Sequence, residues 1–169
     1  MWLPEVLSRP NTQSRLPRRA LLAAVLALAA CGLQPVYGPG GAASKLFGQV
    51  RPVDPDTPDA FIFNHRIAER LGPEGEAYAL DYTLRIGAVA QGVTPDEITT
   101  RYSLNGSADF RLTDNATGAT VTQGQVSTFT SYSTTGTTVA TLTAEYDARQ
   151  RLARMLADQV VTRLLAAAP

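Results

Sequence analysis

Apolar residues in two parts of the chain recur with the period of a helix. In residues 59–71 the repeat is carried by Phe63, Ile67 and Leu71, with charged residues on the opposite side. Asp59 is expected to cap this helix, and the Gly72-Pro73 pair ends it. A longer helix is predicted for residues 142–167. Its apolar stripe steps by four through Leu152, Leu156, Val160 and Leu164.

Three segments between these helices alternate between apolar and polar residues, as half-buried strands do. They are residues 78–87, 98–114 and 119–136, and residues 45–53 form a shorter strand-like segment before the first helix. One face of the second segment is apolar, with Ile98, Tyr102, Leu104, Ala108, Phe110 and Leu112. In the third segment Val126 is out of phase with Val121 and Phe129, so we predict a β-bulge near Gly124.

The order strand, helix, three strands, helix predicts an α+β fold. The economical arrangement has two layers, with a four-stranded, mostly antiparallel sheet and two helices packed on one of its faces. The other face is expected to be polar, because Arg101 to Arg111 alternate as arginine, serine, asparagine and aspartate. Residues 120–138 add many hydroxyl groups to it.

The first thirty residues have the organisation of a secretory signal. Arg15, Arg18 and Arg19 precede Ala20–Ala30, an apolar run that contains no charge. As a helix this run would span about 16 Å, roughly half of the hydrocarbon core of a bilayer, so a permanent transmembrane helix is not expected.

Cys31 follows this run directly, and the Leu-Ala-Ala-Cys sequence resembles the bacterial lipobox. A lipobox implies cleavage between Ala30 and Cys31, a diacylglyceryl group on the thiol and acylation of the new amine. The alternative is an ordinary buried cysteine, which the basic flank and the short apolar run do not favour. We therefore predict a cleaved signal peptide over residues 1–30, a lipidated flexible tether over 31–44 and a single domain over 45–169.

The predicted mature chain, residues 31–169, is mildly acidic, with 11 basic and 14 acidic residues and a net charge of −3. This balance does not favour bulk attraction to nucleic acid, so no nucleic-acid partner is predicted. Once Cys31 carries lipid, the chain has no cysteine for a disulfide or a metal site. Packing, alone or with a partner, then has to supply the stability.

Residues 31–38 read Cys-Gly-Leu-Gln-Pro-Val-Tyr-Gly. They resemble the Cys-Gly-Phe-x-Pro-Leu-Tyr-Gly start of the LPS-assembly lipoprotein LptE family in its alphaproteobacterial form, with Leu33 and Val36 as apolar replacements. The order of the predicted elements extends the resemblance over most of the mature chain. The resemblance implies a periplasm-facing plug in the lumen of the β-barrel LptD, which supports barrel assembly and helps to deliver lipopolysaccharide to the outer leaflet.

The expected partners are therefore an LptD-like outer-membrane barrel, lipopolysaccharide and the membrane that holds Cys31. Gly32 is not the aspartate that often retains lipoproteins in the inner membrane, which favours the outer membrane. The polar sheet face is expected either to contact a polar lumen wall or to be an ordinary solvated face. A different function remains open, that of a lipid-anchored accessory subunit of a periplasm-spanning lipid or solute transporter.

No catalytic, metal or cofactor site is predicted, and no residue is assigned to lipopolysaccharide binding. His65 is the only histidine, and no Gly-x-Ser-x-Gly motif accompanies it, so a surface position is expected rather than a hydrolase triad or a zinc site. Four arginines of the last helix either contact lipid A phosphates or form a solvated face. They are Arg149, Arg151, Arg154 and Arg163.

Overall fold

The computed structural model describes Gly38, residues 41–92 and residues 99–168. The predicted signal peptide and Cys31 lie outside the described residues. In chain order the elements are α1 (Ala42–Leu46), β1 (Val50–Pro52), α2 (Pro58–Leu71), β2 (Tyr78–Ala90), β3 (Arg101–Asp114), β4 (Thr120–Ser133) and α3 (Thr138–Ala167).

The four strands form one sheet in the order β1-β2-β3-β4. β1 runs parallel to β2, whereas the β2–β3 and β3–β4 pairs are antiparallel. The parallel pair requires a crossover, and α2 supplies it. The predicted α+β class, with a mainly antiparallel four-stranded sheet and helices packed on it, is confirmed.

The core lies between the sheet and the two long helices. β3 contributes its even-numbered side chains, and α2 contributes the predicted stripe of Phe63, Ile67 and Leu71. Gly106, on the same face of β3, allows α3 to approach closely. A Cβ atom at this position would lie only 3.0 Å from the side chains of Leu152 and Leu156. The close packing of α3 on β3 therefore depends on the absence of a side chain at this position.

The start of α2 differs from the sequence-based expectation. Thr57, not Asp59, is the N-cap, and its Oγ1 accepts a hydrogen bond from Ala60 N at 3.2 Å. Pro58 occupies the first helical position, where its missing N–H costs nothing. Asp59 lies one residue further on, where its carboxylate accepts a hydrogen bond from Arg149 Nη1 at 3.3 Å. The residue predicted as a cap instead joins the two long helices.

The predicted bulge in the last strand exists, but its predicted position is wrong. Thr122 pairs with Leu112 and Thr120 with Thr113, so Val121 is the extra residue. Gly124 stays in register with Phe110. The bulge brings Val121 onto the core side together with Val126, whereas Phe129 is 69% exposed.

The chain before α2 also differs from the prediction. Residues 45–53 were expected to be a strand, but only Val50–Pro52 pairs with β2, and Ala42–Leu46 form α1. Leu46 is fully buried and Ala43 packs in the same cluster. The boundary that was expected between the tether and the domain, between residues 44 and 45, therefore falls inside α1. The reason is that the apolar side chain of Leu46 packs in the core. α3 likewise begins one turn earlier than expected, after Thr137, whose Oγ1 accepts from Ala140 N.

Tyr82 links the sheet to the start of α2. Its ring centroid lies 4.5 Å from that of Phe63, and its hydroxyl donates to Ala60 O at 3.4 Å. Burial raises the pKa of Tyr82 to about 12, and the negative charge of Asp56 adds to the effect.

This raised pKa predicts a loss of stability in alkali. The folded state holds the phenolic proton more tightly than the unfolded chain, whose tyrosines titrate near pH 10, so unfolding becomes easier as the pH rises from about 10 to 12. Below pH 10 the contribution is constant. Tyr82→Phe is expected to reduce the slope of unfolding free energy against pH in that window, measured by urea unfolding. The exposed Tyr146→Phe should keep the wild-type slope, and equal slopes for both variants would contradict the assignment.

Candidate functional site

The described helices cover one face of the sheet and leave the other uncovered. We call the uncovered face of β2, β3 and β4 the open sheet face. Its members are odd-numbered residues, which include Asp81, Thr83, Arg85, Arg101, Ser103, Asn105, Ser107, Asp109, Arg111, Gln123, Gln125, Ser127, Phe129, Ser131 and Ser133. The polar face predicted from the alternation in β3 therefore continues across three strands.

Asp109 is at the centre of the open sheet face. Its carboxylate forms an ion pair with the Arg85 guanidinium on one side and accepts a hydrogen bond from Gln125 Nε2, at 2.8 Å, on the other. Arg85 and Gln125 belong to the two strands that flank β3, so this contact ties all three strands together. In the next row Asp81 and Arg111 are direct cross-strand neighbours of opposite charge. Positive and negative groups thus nearly balance on this face.

A shallow groove of about 520 Å³ runs across the rows of Asp81 and Asp109. It is lined by side chains that donate and accept hydrogen bonds, among them Thr83, Arg111 and Gln123. The β4 side of the face carries serine and glutamine rather than charged residues, and Phe129 is an exposed apolar exception. The surface can therefore make many dispersed hydrogen bonds with another polar surface.

The four arginines predicted on the last helix do not share one surface. Arg149 faces α2, where its guanidinium lies 3.3 Å from Asp59 and 3.1 Å from Glu145, and hydrogen bonding to Glu145 and the charge of Asp59 raise its pKa despite partial burial. Arg151 faces β4 and donates to Thr130 Oγ1 and Ser131 O. Arg154 donates to Gln150. Arg163 lies near the opposite end of β4.

His65 lies where a surface residue was expected. Its side chain is exposed on α2, with Nδ1 3.2 Å from Glu69 Oε1 one turn further on. Within residues 41–92 and 99–168, no three histidine, cysteine or acidic side chains come together in a group suited to a metal ion.

The end of the sheet that is distant from β1 carries exposed apolar side chains. Val139, Leu142 and Tyr146 form a stripe on the first turns of α3, in which the buried residues begin only at Ala148. Tyr102 and Tyr132 stack near the same end of the β3–β4 ladder, with ring centroids 5.6 Å apart. Burial raises the pKa of Tyr132, and the negative charge of Glu145 acts in the same direction. The sequence prediction missed this stripe, although its spacing of three and four residues is visible in the sequence.

The open sheet face also contains contacts that the sequence prediction did not identify. The pairing of Arg85 with Asp109 and of Asp109 with Gln125 follows from the register of the strands, which alternation by itself does not fix.

Across the described part of the chain, no helix is both long enough and apolar enough to cross a membrane.

Several solved structures share this fold. A protein from Caulobacter crescentus, described as a candidate lipoprotein, is 24% identical and superposes with a TM-score of 0.59 over 74% of this chain and 93% of its own. The rare lipoprotein B from Shewanella oneidensis is 11% identical, with a TM-score of 0.53 over 70% of this chain and 92% of its own. A minor lipoprotein from Acinetobacter baumannii is 16% identical, also with a TM-score of 0.53, over 71% and 92% of the two chains.

No curated protein sequence matches the chain at a significant level. A family model described as LptE, lipopolysaccharide-assembly, matches residues 46–164, which run from the last residue of α1 to nearly the end of α3 and contain the five elements between them. The match covers more than two thirds of the sequence. The chain therefore belongs to the LptE family.

Proposed function

We propose that this protein is a non-enzymatic, lipid-anchored component of lipopolysaccharide assembly at the outer membrane. In this proposal it occupies the lumen of an LptD-like β-barrel from the periplasmic side, supports assembly of the barrel and contributes to lipopolysaccharide delivery. Membership of the LptE family supports the role in lipopolysaccharide assembly. The fold shared with bacterial proteins described as lipoproteins is consistent with an envelope location.

The observation that carries the plug role is the open sheet face. A barrel lumen is polar, so the surface that meets it has to offer hydrogen-bonding groups along most of its length. β3 and β4 each contribute 14 residues, and apart from Phe129 and the bulged Val121 their odd-numbered side chains are hydroxyl, amide and nearly balanced charged groups. Such a surface gains little by contact with an apolar partner, but it can form hydrogen bonds with the polar wall of a lumen.

The anchor and the location are part of the same proposal. Cys31 would carry the lipid after cleavage behind Ala30, and Gly32 would permit transfer to the outer membrane. Sedimentation of membranes on a sucrose gradient tests the location. Recovery with outer-membrane markers supports the proposal, whereas recovery with inner-membrane markers favours the accessory subunit of a transporter.

Adding bulk to the open sheet face is expected to weaken barrel binding. Asn105 lies across from Gly87 and Phe129, and space is open above Gly87, so Asn105→Trp fits the sheet and adds a cross-strand aromatic contact. The indole projects from a surface that would otherwise meet the lumen wall. We expect at least about a tenfold loss of the co-purified barrel in mild detergent, which corresponds to about 1.4 kcal/mol.

The matched control is Ala68→Trp, which places the same side chain on the exposed surface of α2. It should co-purify with the barrel as the wild type does. Unfolding midpoints of both variants establish that the fold is retained. Equal recovery of a barrel with Asn105→Trp and wild type would contradict contact through the open sheet face, and recovery of the tagged wild type without any barrel would contradict the plug role.

A further inference from the structure

β4 forms an unprotected edge of the sheet. It is the last strand in the order β1-β2-β3-β4, so within the described residues only β3 pairs with it. Natural proteins usually block such an edge with charged side chains, proline or bulges, because its free N–H and C=O groups accept a further strand. The 14 residues of β4 contain no charged residue and no proline, and the bulge at Val121 lies close to one end.

The ladder shows which backbone groups face outward. Thr134 N donates to Thr100 O at 3.0 Å, and the register continues from this pair through Tyr132–Tyr102 to Thr122–Leu112. Because hydrogen-bonded pairs alternate in an antiparallel ladder, even-numbered residues of β4 bond to β3 and odd-numbered residues direct their N–H and C=O groups to the edge. Arg151 agrees with this assignment, since its Nη2 donates to Ser131 O at 3.4 Å.

Two arginines of α3 flank the edge on its helix side. Arg151 lies at Thr130 and Ser131, and Arg163 lines a cavity of about 330 Å³ with residues 122–125. Within the described residues, neither arginine forms an ion pair with a carboxylate. Gly124 and Thr130 are six residue steps apart along the strand, roughly 20 Å. The edge therefore offers an uncharged strand with a positive charge near each end.

This charge pattern disfavours a second copy of the chain as the occupant. Two β4 strands that pair antiparallel about Ser127 would bring residues 123–125 of one copy beside residues 129–131 of the other. Arg163 of each copy would then approach Arg151 of its neighbour. Like charges in that position oppose association, whereas carboxylates would favour it.

We propose that the edge of β4 is a docking site for an extended, acidic segment of a partner protein, which adds to the sheet as a fifth strand. The backbone of that segment pairs with Gln125, Ser127 and Phe129, and its carboxylates on the helix side approach Arg151 and Arg163. This inference does not rest on the proposed role in the barrel, because it concerns the edge of the sheet and not the open sheet face.

The test uses the full chain in mild detergent and two synthetic nonapeptides. The acidic probe is Thr-Glu-Val-Thr-Val-Thr-Val-Glu-Thr, blocked at both ends, and the basic probe has lysine in place of each glutamate. Amide hydrogen exchange followed by NMR should show that the saturating acidic probe slows the N–H groups of Gln125, Ser127 and Phe129 by at least about tenfold. The basic probe should bind at least about tenfold more weakly, since each charge contact reverses sign.

Ser127→Pro separates edge pairing from folding. It removes an outward N–H and leaves every hydrogen bond to β3 in place, so the fold should survive while peptide binding is lost. Ser127→Ala removes the same hydroxyl but keeps the N–H, and it should bind as the wild type does. Arg163→Glu, which breaks no ion pair within the described residues, should reduce the preference for the acidic probe.

Four results would overturn the proposal. They are unchanged exchange at the three amides, equal affinity for both peptides, wild-type binding by folded Ser127→Pro, and an unchanged peptide preference in Arg163→Glu. Protection of the same amides without peptide, together with a doubled mass in sedimentation, would also overturn it, because a second copy would then occupy the edge.

Discussion

Phe63→Ala is expected to lower the free energy of unfolding by about 3–5 kcal/mol. The side chain is fully buried in α2 and its ring packs against Tyr82 of β2, so its removal leaves a cavity between helix and sheet. Neighbouring side chains cannot fill that space without leaving their own contacts. The measurement is the midpoint and slope of urea unfolding, followed by circular dichroism.

Phe61 is the matched control, because it belongs to the same helix and loses the same atoms when changed to alanine. It is 63% exposed, so Phe61→Ala should alter the free energy of unfolding by no more than about 0.5 kcal/mol. A similar loss for both variants would contradict the assignment to the core between α2 and the sheet. Helix propensity cannot account for a loss, because alanine favours a helix more than phenylalanine does.

Cys31→Ser is expected to move the protein from the membrane fraction to the soluble fraction almost completely. In the proposed lipoprotein the sulfur carries a diacylglyceryl group and the adjacent amine a further acyl chain, and each buried CH₂ contributes about 0.8 kcal/mol to membrane binding. Serine cannot form the thioether. The measurement is the share of protein that sediments with membranes after a high-salt wash, together with the mass of the amino-terminal peptide.

A displaced thiol provides the control for this experiment. Ser44→Cys in the Cys31→Ser background restores a cysteine near the start of α1 but not the Leu-Ala-Ala-Cys sequence. It should remain soluble. Wild-type sedimentation of Cys31→Ser, or an unmodified Cys31 in the mature wild type, would contradict the anchor.

The sequence alone predicted the parts of the fold in which apolar residues recur with a single regular period, either that of a helix or that of a strand. Phe63, Ile67 and Leu71 face the core because they lie on one side of a helix, and Leu104 to Leu112 do so because alternation in β3 is regular. These patterns predict which side of each element faces the core, and the α+β class follows from the order of the predicted elements. The parallel pairing of β1 with β2 does not appear in either pattern.

Errors arose where tertiary contacts decide the local structure. Leu46 is buried through packing of α1 on the core, although the surrounding residues have the composition of a linker. Gly124 was expected to mark the bulge, but the tight turn after Asp114, whose N–H donates to Ala119 O, places the extra residue at Val121. A Cβ atom at Gly124 would make an ordinary contact with the Phe110 ring, at 3.4 Å, so neither a bulge nor a lack of space requires glycine at this position.

The candidate site was predicted as a face but not as a set of contacts. Alternation placed Asp109 on the polar side of β3, whereas its ion pair with Arg85 depends on how β2 and β3 are aligned. The free edge of β4 depends on strand order, which a single sequence does not reveal. The sequence analysis also grouped Arg149, Arg151 and Arg163 as one set. They do not share a surface, because neighbouring positions on a helix point to different partners.

The length of β2 gives the protein a fixed reach. The strand runs from Tyr78, beside β1, to Ala90, about 40 Å away, and the antiparallel ladder with β3 stiffens it along this whole distance. Val139, Leu142 and Tyr146 stand at its distant end. The ladder therefore holds these apolar side chains at a fixed distance from the β1 end of the sheet, so that shortening the hairpin would bring them closer to that end without altering their chemistry.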